Sequence, residues 1–179
     1  MTIQLIIPHK KYLPSVHEAV TEYKSAPSEF EIGNVTQLLK ASENNFISYF
    51  QDVENDAMGI NLKHGYVPQT VFWLVDNNQY IGSFALRHRL TPALEEIGGH
   101  IAYQIRPSKQ RQGYATQGLK LCLFEAFKMG IKEALITCRI QNTASYGVMH
   151  KVMLEYGGHE ATPFKKEDII EKRVWIKTK

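Results

Sequence analysis

The middle of the chain holds a strand pattern, a polar glycine-containing turn and an apolar helix pattern in immediate succession. Residues 99–105 have the character of a strand, residues 106–116 form a basic, polar turn, and residues 113–129 carry a helical stripe of apolar side chains. Turn N–H groups that converge, together with the positive end of a helix dipole, favour a bound phosphate. The succession therefore predicts a unit that holds a phosphate-bearing, nucleotide-type cofactor.

The segments around this unit predict a mixed α/β domain. Residues 70–75 and 80–86 are rich in β-branched and aromatic side chains and flank a polar turn, which indicates a β-hairpin. Residues 99–105 add a third strand to this meander, and residues 134–138 form a short buried strand after the helix. Strand, helix and strand over residues 99–138 predict a βαβ unit with parallel strands and a right-handed crossover.

The remaining elements follow from apolar spacing and from breakers. We expect short strands at residues 3–7 and 174–177, and helices at residues 14–23 and within residues 38–53. Residues 54–69 contain two glycines and a proline, which predicts a long loop, and residues 91–96 predict a connection. Asn142 is placed as the N-cap of a helix that ends near Gly157.

Composition limits the classes of partner and compartment. A length of 179 residues with 44% apolar residues predicts one domain with an ordinary core. A net charge of only +3 argues against nucleic acid as a partner. The first residues lack the features of a signal peptide, and no stretch approaches the roughly 20 apolar residues that span a bilayer. Dispersed histidines and the apolar surroundings of Cys122 and Cys138 predict neither a metal site nor a disulfide, so we expect a cytoplasmic protein with no membrane partner.

Three motifs occur in a fixed order along the second half of the chain. They are the Gln-x-x-Gly-x-Ala pattern of residues 110–115, the helix opening at residues 142–145, and the helix closing Glu-Tyr-Gly-Gly at residues 155–158. Together they resemble the GNAT superfamily of N-acyltransferases, which use acetyl-CoA. Residues 99–103 and 136–138 also resemble a bacterial branch of that superfamily described only as predicted acetyltransferases.

The resemblance implies an α/β (α+β) fold with a mixed, mostly antiparallel central sheet, flanking helices and a βαβ cofactor-binding unit. It implies a single domain over residues 1–179, with a variable helical part at residues 1–67 and a cofactor-binding core at residues 68–179. Acetyl-CoA is the implied acyl donor and cosubstrate, and an unidentified amine is the implied acceptor. Dimers are common in the family, so a homodimer is compatible with the resemblance.

The resemblance also implies which residues contact the cofactor. The turn would wrap the pyrophosphate, with main-chain N–H groups as donors and Arg111 as an added charge. The backbone of Ile105 would bond the pantetheine arm. Asn142 resembles a residue that helps to hold this arm, although an ordinary helix cap is the alternative, and Ser145 is a weaker contact. The turn residues concerned are Gln110, Arg111, Gln112, Gly113, Tyr114, Ala115 and Thr116.

The catalytic groups depart from the family pattern. Acyl transfer to an amine needs a base for the ammonium proton and an acid for the departing thiolate. Met149 occupies the usual position of the acidic tyrosine, and Tyr146 is the substitute that we consider. Gly99 occupies the usual position of the basic glutamate, which leaves His100 or Glu96 as candidates. Packed or solvated side chains are the alternative for all three candidates, with positioning and a water relay carrying catalysis instead.

The sequence therefore predicts an N-acetyltransferase that moves an acetyl group from acetyl-CoA to a primary amine. Direct attack in a ternary complex is favoured because neither cysteine has an evident activating partner. A non-catalytic acyl-CoA-binding sensor of the same fold is the alternative, since the usual tyrosine and glutamate are missing. A nucleic-acid-binding module is a further alternative that the near-neutral charge disfavours.

Overall fold

The strands of the computed structural model, which describes residues 2–30 and 32–179, form two antiparallel sheets. The first sheet has the order β1-β2-β3-β4 and the second the order β5-β7-β6. The strands are β1 (Gln4–Ile6), β2 (Gln69–Asp76), β3 (Gln79–Arg87), β4 (Ile101–Ile105), β5 (Glu133–Arg139), β6 (Gly158–Lys166) and β7 (Ile169–Lys177).

Helices cover both faces of the first sheet. The helices of the described chain are α1 (Leu13–Ser25), α2 (Gly33–Glu43), α3 (Tyr49–Met58), α4 (Pro92–Glu96), α5 (Tyr114–Lys128) and α6 (Thr143–Tyr156), and all but the short α4 contribute to the two cores. Phe72 and Leu74 of β2 join a core with α5 and α6, whereas Val71 and Trp73 join a second core with α1, α2 and α3. Burial on both faces explains the unbroken apolar run of this strand. Antiparallel sheets between helices confirm the predicted α/β (α+β) class.

Local turn chemistry explains the elements that the sequence predicts most closely. β2 and β3 form the expected hairpin, with Asp76 opposite Gln79. Asn77 and Asn78 adopt positive φ angles of 47° and 65°, the conformation that a tight hairpin turn with the favoured twist requires. Residues 114–128 form the predicted helix α5, and Gly130, with φ of 80°, follows its C-terminus.

Three predicted segments differ in the structure. The helix expected within residues 38–53 is two helices, because Asn45 and Phe46 turn the chain with positive φ angles between α2 and α3. The predicted loop at residues 54–69 begins later, since α3 continues to Met58 and ends at Gly59 in the left-handed region. The connection at residues 91–96 contains the short helix α4, which Thr91 caps through a bond from the Leu94 N–H.

The predicted parallel pairing of β4 with β5 is confined to one backbone bond. His100 donates its N–H to the carbonyl of Leu135 over 2.6 Å, and no ladder joins the two strands within the described residues. The two strands then separate toward their C-terminal ends. No helix of the described residues is both long enough and apolar enough to span a bilayer.

Gly118 of α5 provides a test of this packing. A Cβ atom at residue 118 would lie 2.2 Å from Cζ of Phe84 on β3. We expect Gly118→Ala to lower the free energy of unfolding by about 1–3 kcal/mol, because overpacking outweighs the better helix propensity of alanine. Gly147→Ala in α6 is the matched control, since nothing lies within 4 Å of the new methyl, and should be neutral or stabilising. Urea unfolding measures both, and equal effects would contradict this account.

Candidate active site

The open edge of β4 forms one wall of a cleft. Backbone groups of an antiparallel strand alternate between its two edges. Because the N–H of Arg87 donates to the carbonyl of His100, the even-numbered residues of β4 pair with β3. The N–H and C=O groups on the opposite edge point toward β5 and belong to Ile101, Tyr103 and Ile105. This edge can therefore bond an extended ligand as an added strand would.

Gly99 and His100 fasten the closed end of the cleft. Gly99 has φ of 60°, and a Cβ atom there would lie 2.4 Å from the carbonyl oxygen of Leu135. A glutamate at this position would have no room, which is a physical reason for the departure from the family pattern. β4 and β5 touch at this point before they separate.

An ion pair anchors the start of the turn that follows β4. Arg106, only 4% exposed, donates through Nε and Nη2 to Oε1 of Glu22 in α1. Glu22 also accepts from the N–H of Ser108 over 3.0 Å and from its hydroxyl over 2.8 Å. Burial raises the pKa of Glu22, but these hydrogen bonds from Arg106 and Ser108 outweigh it and hold the pKa at about 2. The carboxylate therefore stays charged and fixes residues 106–108.

The next residues leave a row of main-chain amides free. The N–H groups of residues 111–116 donate to no group within residues 2–30 and 32–179, and intrahelical bonding of α5 begins with Gln117 to Gly113. Gly113 lies at the helix N-cap with φ of 84°. The side chain of Gln110 instead folds back, and its Nε2 donates to the carbonyl of Ile105 over 3.1 Å. A helix N-terminus with free donors is suited to an anion.

The cleft brings together nearly all of the residues predicted to contact a cofactor. Its volume is about 1710 Å³, above the roughly 300–1,000 Å³ of most ligand pockets, which leaves room for two substrates. Gln112 does not line the cleft, and its side chain donates to the carbonyl of Ser108. The predicted residues that do line it are Ile105, Gln110, Arg111, Gly113, Tyr114, Ala115, Thr116, Asn142 and Ser145.

Asn142 and Ser145 lie at the start of α6. Oδ1 of Asn142 accepts the N–H of Ser145 over 3.0 Å, so the predicted helix cap is formed. The hydroxyl of Ser145 lies 3.1 Å from the hydroxyl of Tyr103 and 3.8 Å from Sδ of Met149. A tyrosine of β4 thus brings its hydroxyl close to the side chain that replaces the family tyrosine.

The three catalytic candidates from the sequence lie outside the cleft lining. The hydroxyl of Tyr146 bonds Glu160, and this hydrogen bond raises its pKa. Lys172 lies over the Tyr146 ring, with Nζ 3.5 Å from the ring centroid. Glu96 is exposed at the C-terminal end of α4. In both cases the contacts are those of a surface side chain.

His100 serves as a link between the two sheets. Its Nδ1 accepts the N–H of Leu135 over 3.0 Å, and its ring packs edge-on against Trp175. Burial, with a smaller effect from Arg87, lowers its pKa to about 4. The ring is therefore neutral near pH 7, and the lone pair that a base would use is already engaged. This geometry argues against proton abstraction by His100.

Glu171 of β7 lines the cleft, although no sequence motif identifies it as a site residue. It is 3% exposed and lies 3.0 Å from Nε of Arg139, with Thr137 as a hydrogen-bond donor. Burial raises its pKa, more than Thr137 and Arg139 lower it. A signal exists in the alternation of β7, where Glu171, Arg173 and Trp175 share one face. Among the described residues, no cluster of three potential metal-ligating side chains occurs.

The free helix N-terminus beside an unpaired strand edge defines a class of α/β domain that can hold an extended ligand with an anionic group. A family model described as "Acetyltransferase (GNAT) domain" matches residues 15–155, and the chain therefore belongs to this family. No curated protein matches the sequence.

Solved structures share the fold at low sequence identity. The RimL ribosomal L7/L12 alpha-N-protein acetyltransferase in complex with coenzyme A is 15% identical, with a TM-score of 0.60 over 99% of this chain and 94% of that one. The microcin C7 self-immunity acetyltransferase MccE, in complex with acetyl-CoA and AMP, is 14% identical, with a TM-score of 0.58 over 99% and 92%. A GNAT-family acetyltransferase from Bacillus anthracis is 20% identical, with a TM-score of 0.60 over 99% and 95%.

The low pKa of His100 has a measurable consequence for stability. Between pH 6.5 and 4 the unfolded chain binds a proton at residue 100 that the folded chain excludes, so stability falls as the pH falls through this window. The loss amounts to up to about 3 kcal/mol. His100→Asn keeps an acceptor for the Leu135 N–H and should remove this part of the pH dependence. Urea unfolding at pH 7, 5.5 and 4 measures it, and parallel curves for both proteins would contradict the assignment.

Proposed function

We propose that residues 1–179 act as a single-domain N-acetyltransferase, which transfers an acetyl group from acetyl-CoA to a primary amine in a ternary complex. The observation that carries this proposal is the row of free amides at residues 111–116 beside the unpaired edge of β4. In this proposal residues 68–179 hold the cofactor, and residues 1–67 supply much of the acceptor wall. A cytoplasmic location, the absence of nucleic acid and membrane partners, and a homodimer stay predictions from the sequence.

The cofactor would be held by two sets of main-chain groups. The amides of residues 111–116 would bind the pyrophosphate, with the charge of Arg111 and the dipole of α5 in support. The free edge of β4 at Tyr103 and Ile105 would bond the pantetheine amides, across from Asn142 and Ser145. When bound, acetyl-CoA supplies a thioester carbonyl whose C–S bond breaks as the amine nitrogen attacks.

Glu171 is our candidate for the base. It is a buried carboxylate in the cleft wall, and burial moves its pKa upward toward the working pH. The carboxylate would accept the proton of the acceptor ammonium, directly or through one water. Arg139 and Thr137 hold the side chain in place by the contacts described above.

Tyr103 is our candidate for the acid. Burial raises the pKa of its hydroxyl, which is therefore protonated and able to donate near neutral pH. The bonds to Ser145 and the stacking of its ring on Phe84 at 5.4 Å fix its position in the cleft. The hydroxyl would exchange its long 3.3 Å bond to the carbonyl of Ser145 for one to the departing sulfur and donate its proton there.

The cysteines support direct transfer over a covalent acyl-enzyme. Cys138 lines the cleft, but burial raises the pKa of its thiol to about 11. Burial also raises the pKa of Cys122, which is fully enclosed in the core. Neither thiol is ionised near pH 7, and the thiolate is the nucleophilic form.

A second candidate function is an acyl-CoA-binding sensor with no turnover. The observation in its favour is the buried Met149 at the position of the usual acid. Release of free CoA from acetyl-CoA in the presence of an amine separates the two functions, because a sensor binds without releasing it.

Gly113→Glu tests the anion site at the start of α5. The carboxylate would lie among the free amides and repel the pyrophosphate, so we expect the Kd for CoA to rise at least about tenfold. Gly130→Glu is a closely matched control at the other end of the same helix, because both glycines have φ near 80° with nothing within 4 Å of an added Cβ. Isothermal titration with CoA measures the affinity. Equal Kd values for the two variants would contradict the site.

Glu171→Gln and Tyr103→Phe test the catalytic assignment. Each keeps the shape of the side chain and removes a proton acceptor or donor, so we expect kcat to fall by about 10²–10⁴-fold with unchanged affinity for CoA. Tyr146→Phe makes the same chemical change outside the cleft and tests the candidate from the sequence. Thiol release with an amine panel is the assay. Loss of turnover in Tyr146→Phe but not in Tyr103→Phe would overturn our choice.

A further inference from the structure

Arg87, at the end of β3, places a guanidinium in the wall of the cleft without an acidic partner. Only its Nη1 is engaged, and this atom donates to the carbonyls of Gly98 at 3.0 Å and Gly99 at 2.9 Å. No Asp or Glu among residues 2–30 and 32–179 lies within ion-pair distance of it. Arg106 and Arg139 each have a glutamate partner, and Arg111, which also lines the cleft without one in the described chain, is exposed to solvent, whereas Arg87 is half-buried.

The surroundings of Arg87 make this solitary charge costly. Burial lowers its pKa, and a smaller opposing effect from Tyr66 does not cancel this. Gln69 lies opposite on β2, and Leu94 and Ile97 extend the same wall with apolar side chains. A half-buried cation in such surroundings is partly dehydrated, and no acidic side chain of the described residues compensates for its charge. An anion delivered by a ligand would compensate for that loss.

The part of the guanidinium that remains free has a definite shape. With Nη1 engaged by two carbonyls, Nε and Nη2 make no hydrogen bond to the described residues. These two atoms form an edge of the fork with parallel N–H bonds, which matches the two oxygens of a carboxylate. A carboxylate thus fits both the charge and the geometry.

We propose that Arg87 binds a carboxylate of the acceptor, so that the substrate is a small amine that also carries a carboxylate, such as an amino acid. This inference rests on the proposed acetyl transfer, which it makes specific. Its ligand is the acceptor, and the contacts assigned above to acetyl-CoA are separate from it.

The position of Arg87 relative to Glu171 fits such a substrate. Arg87 contacts the carbonyl of Gly98, and the N–H of the same residue donates to Oγ1 of Thr137 over 2.9 Å. Thr137 in turn bonds Glu171. The anion-binding edge and the candidate base therefore lie on two sides of Gly98. A molecule that carries both an ammonium and a carboxylate could place the first at Glu171 and the second at Arg87.

The test compares matched ligands on matched variants. The ligands are L-amino acids, each paired with its own carboxamide, which keeps the amine and side chain but removes the negative charge. Binding to the CoA-saturated protein is measured by titration calorimetry, and turnover is measured by thiol release from acetyl-CoA. The variants are Arg87→Gln, Arg87→Lys and the control Arg89→Gln, which removes the same charge from an exposed neighbour outside the cleft lining. Thermal unfolding checks that each variant is folded.

We expect at least one amino acid to bind and react about 10- to 100-fold better than its carboxamide, with the difference mainly in KM. Arg87→Gln should abolish this preference, Arg87→Lys should restore part of it, and Arg89→Gln should leave it unchanged. If Arg87 merely supports residues 98–99, its substitution would weaken both members of a pair equally, and the proposal would be overturned.

The outcomes also separate this inference from the proposed function. Acetylation of amines with no preference for a carboxylate would overturn the role of Arg87 and leave acetyl transfer intact. Carboxylate binding that depends on Arg87, with acetyl-CoA bound but no thiol released, would overturn the proposed activity and support the anion site. Equal, weak binding of both members of every pair would overturn the role of Arg87 whether or not transfer occurs.

Discussion

The separation of β4 from β5 is the constraint on which the rest of this structure depends. A strand edge with free N–H and C=O groups is costly inside a protein and invites pairing. Here the two strands are fastened at one end by the backbone and ring of His100, and the absence of a side chain at Gly99 lets them touch. Beyond that point no strand of the described chain pairs with this edge, and the cleft that results is lined by most of the residues predicted to contact the cofactor. The same fastening places Gly98 between Arg87 and Thr137, so it also shapes the wall to which we assign the acceptor.

Charged groups then set the positions of the parts around the cleft. Glu22 and Arg106 join α1 to the beginning of the turn, so that the free amides of residues 111–116 start from a fixed point. Glu171 and Arg139 form a second pair on the opposite wall. In each pair one partner is buried, and separating the pair would leave that buried charge without a counter-ion, which disfavours other geometries. The unpaired Arg87 differs from both pairs, and that difference is what points to a ligand.

Local signals explain which parts of the fold and site could be predicted from the sequence. The hairpin at Asn77 and Asn78, helix α5 and the cap at Asn142 each depend on residues close together in the chain. Most of the turn residues line the cleft, and the same local pattern places them at the start of α5. The catalytic candidates were harder to place. The sequence places these candidates next to or within elements that border the cleft: His100 before β4, Glu96 at the end of α4 and Tyr146 in α6. The direction of each side chain, however, depends on neighbours from distant segments. Glu171 and Tyr103 enter the cleft only because β7 and β4 meet α6 and β5 in space.

By itself the sequence determined a mixed α/β chain with a helix N-terminus ready for an anion, because turn chemistry and apolar spacing act over a few residues. Only the tertiary structure decided that β4 and β5 separate and that Nδ1 of His100 accepts the N–H of Leu135. It also decided that Arg87 lacks a counter-ion within the described part of the chain. These facts concern atoms that are distant along the chain, and their pKa values and hydrogen bonds depend on burial that exists only after the sheets and helices have packed.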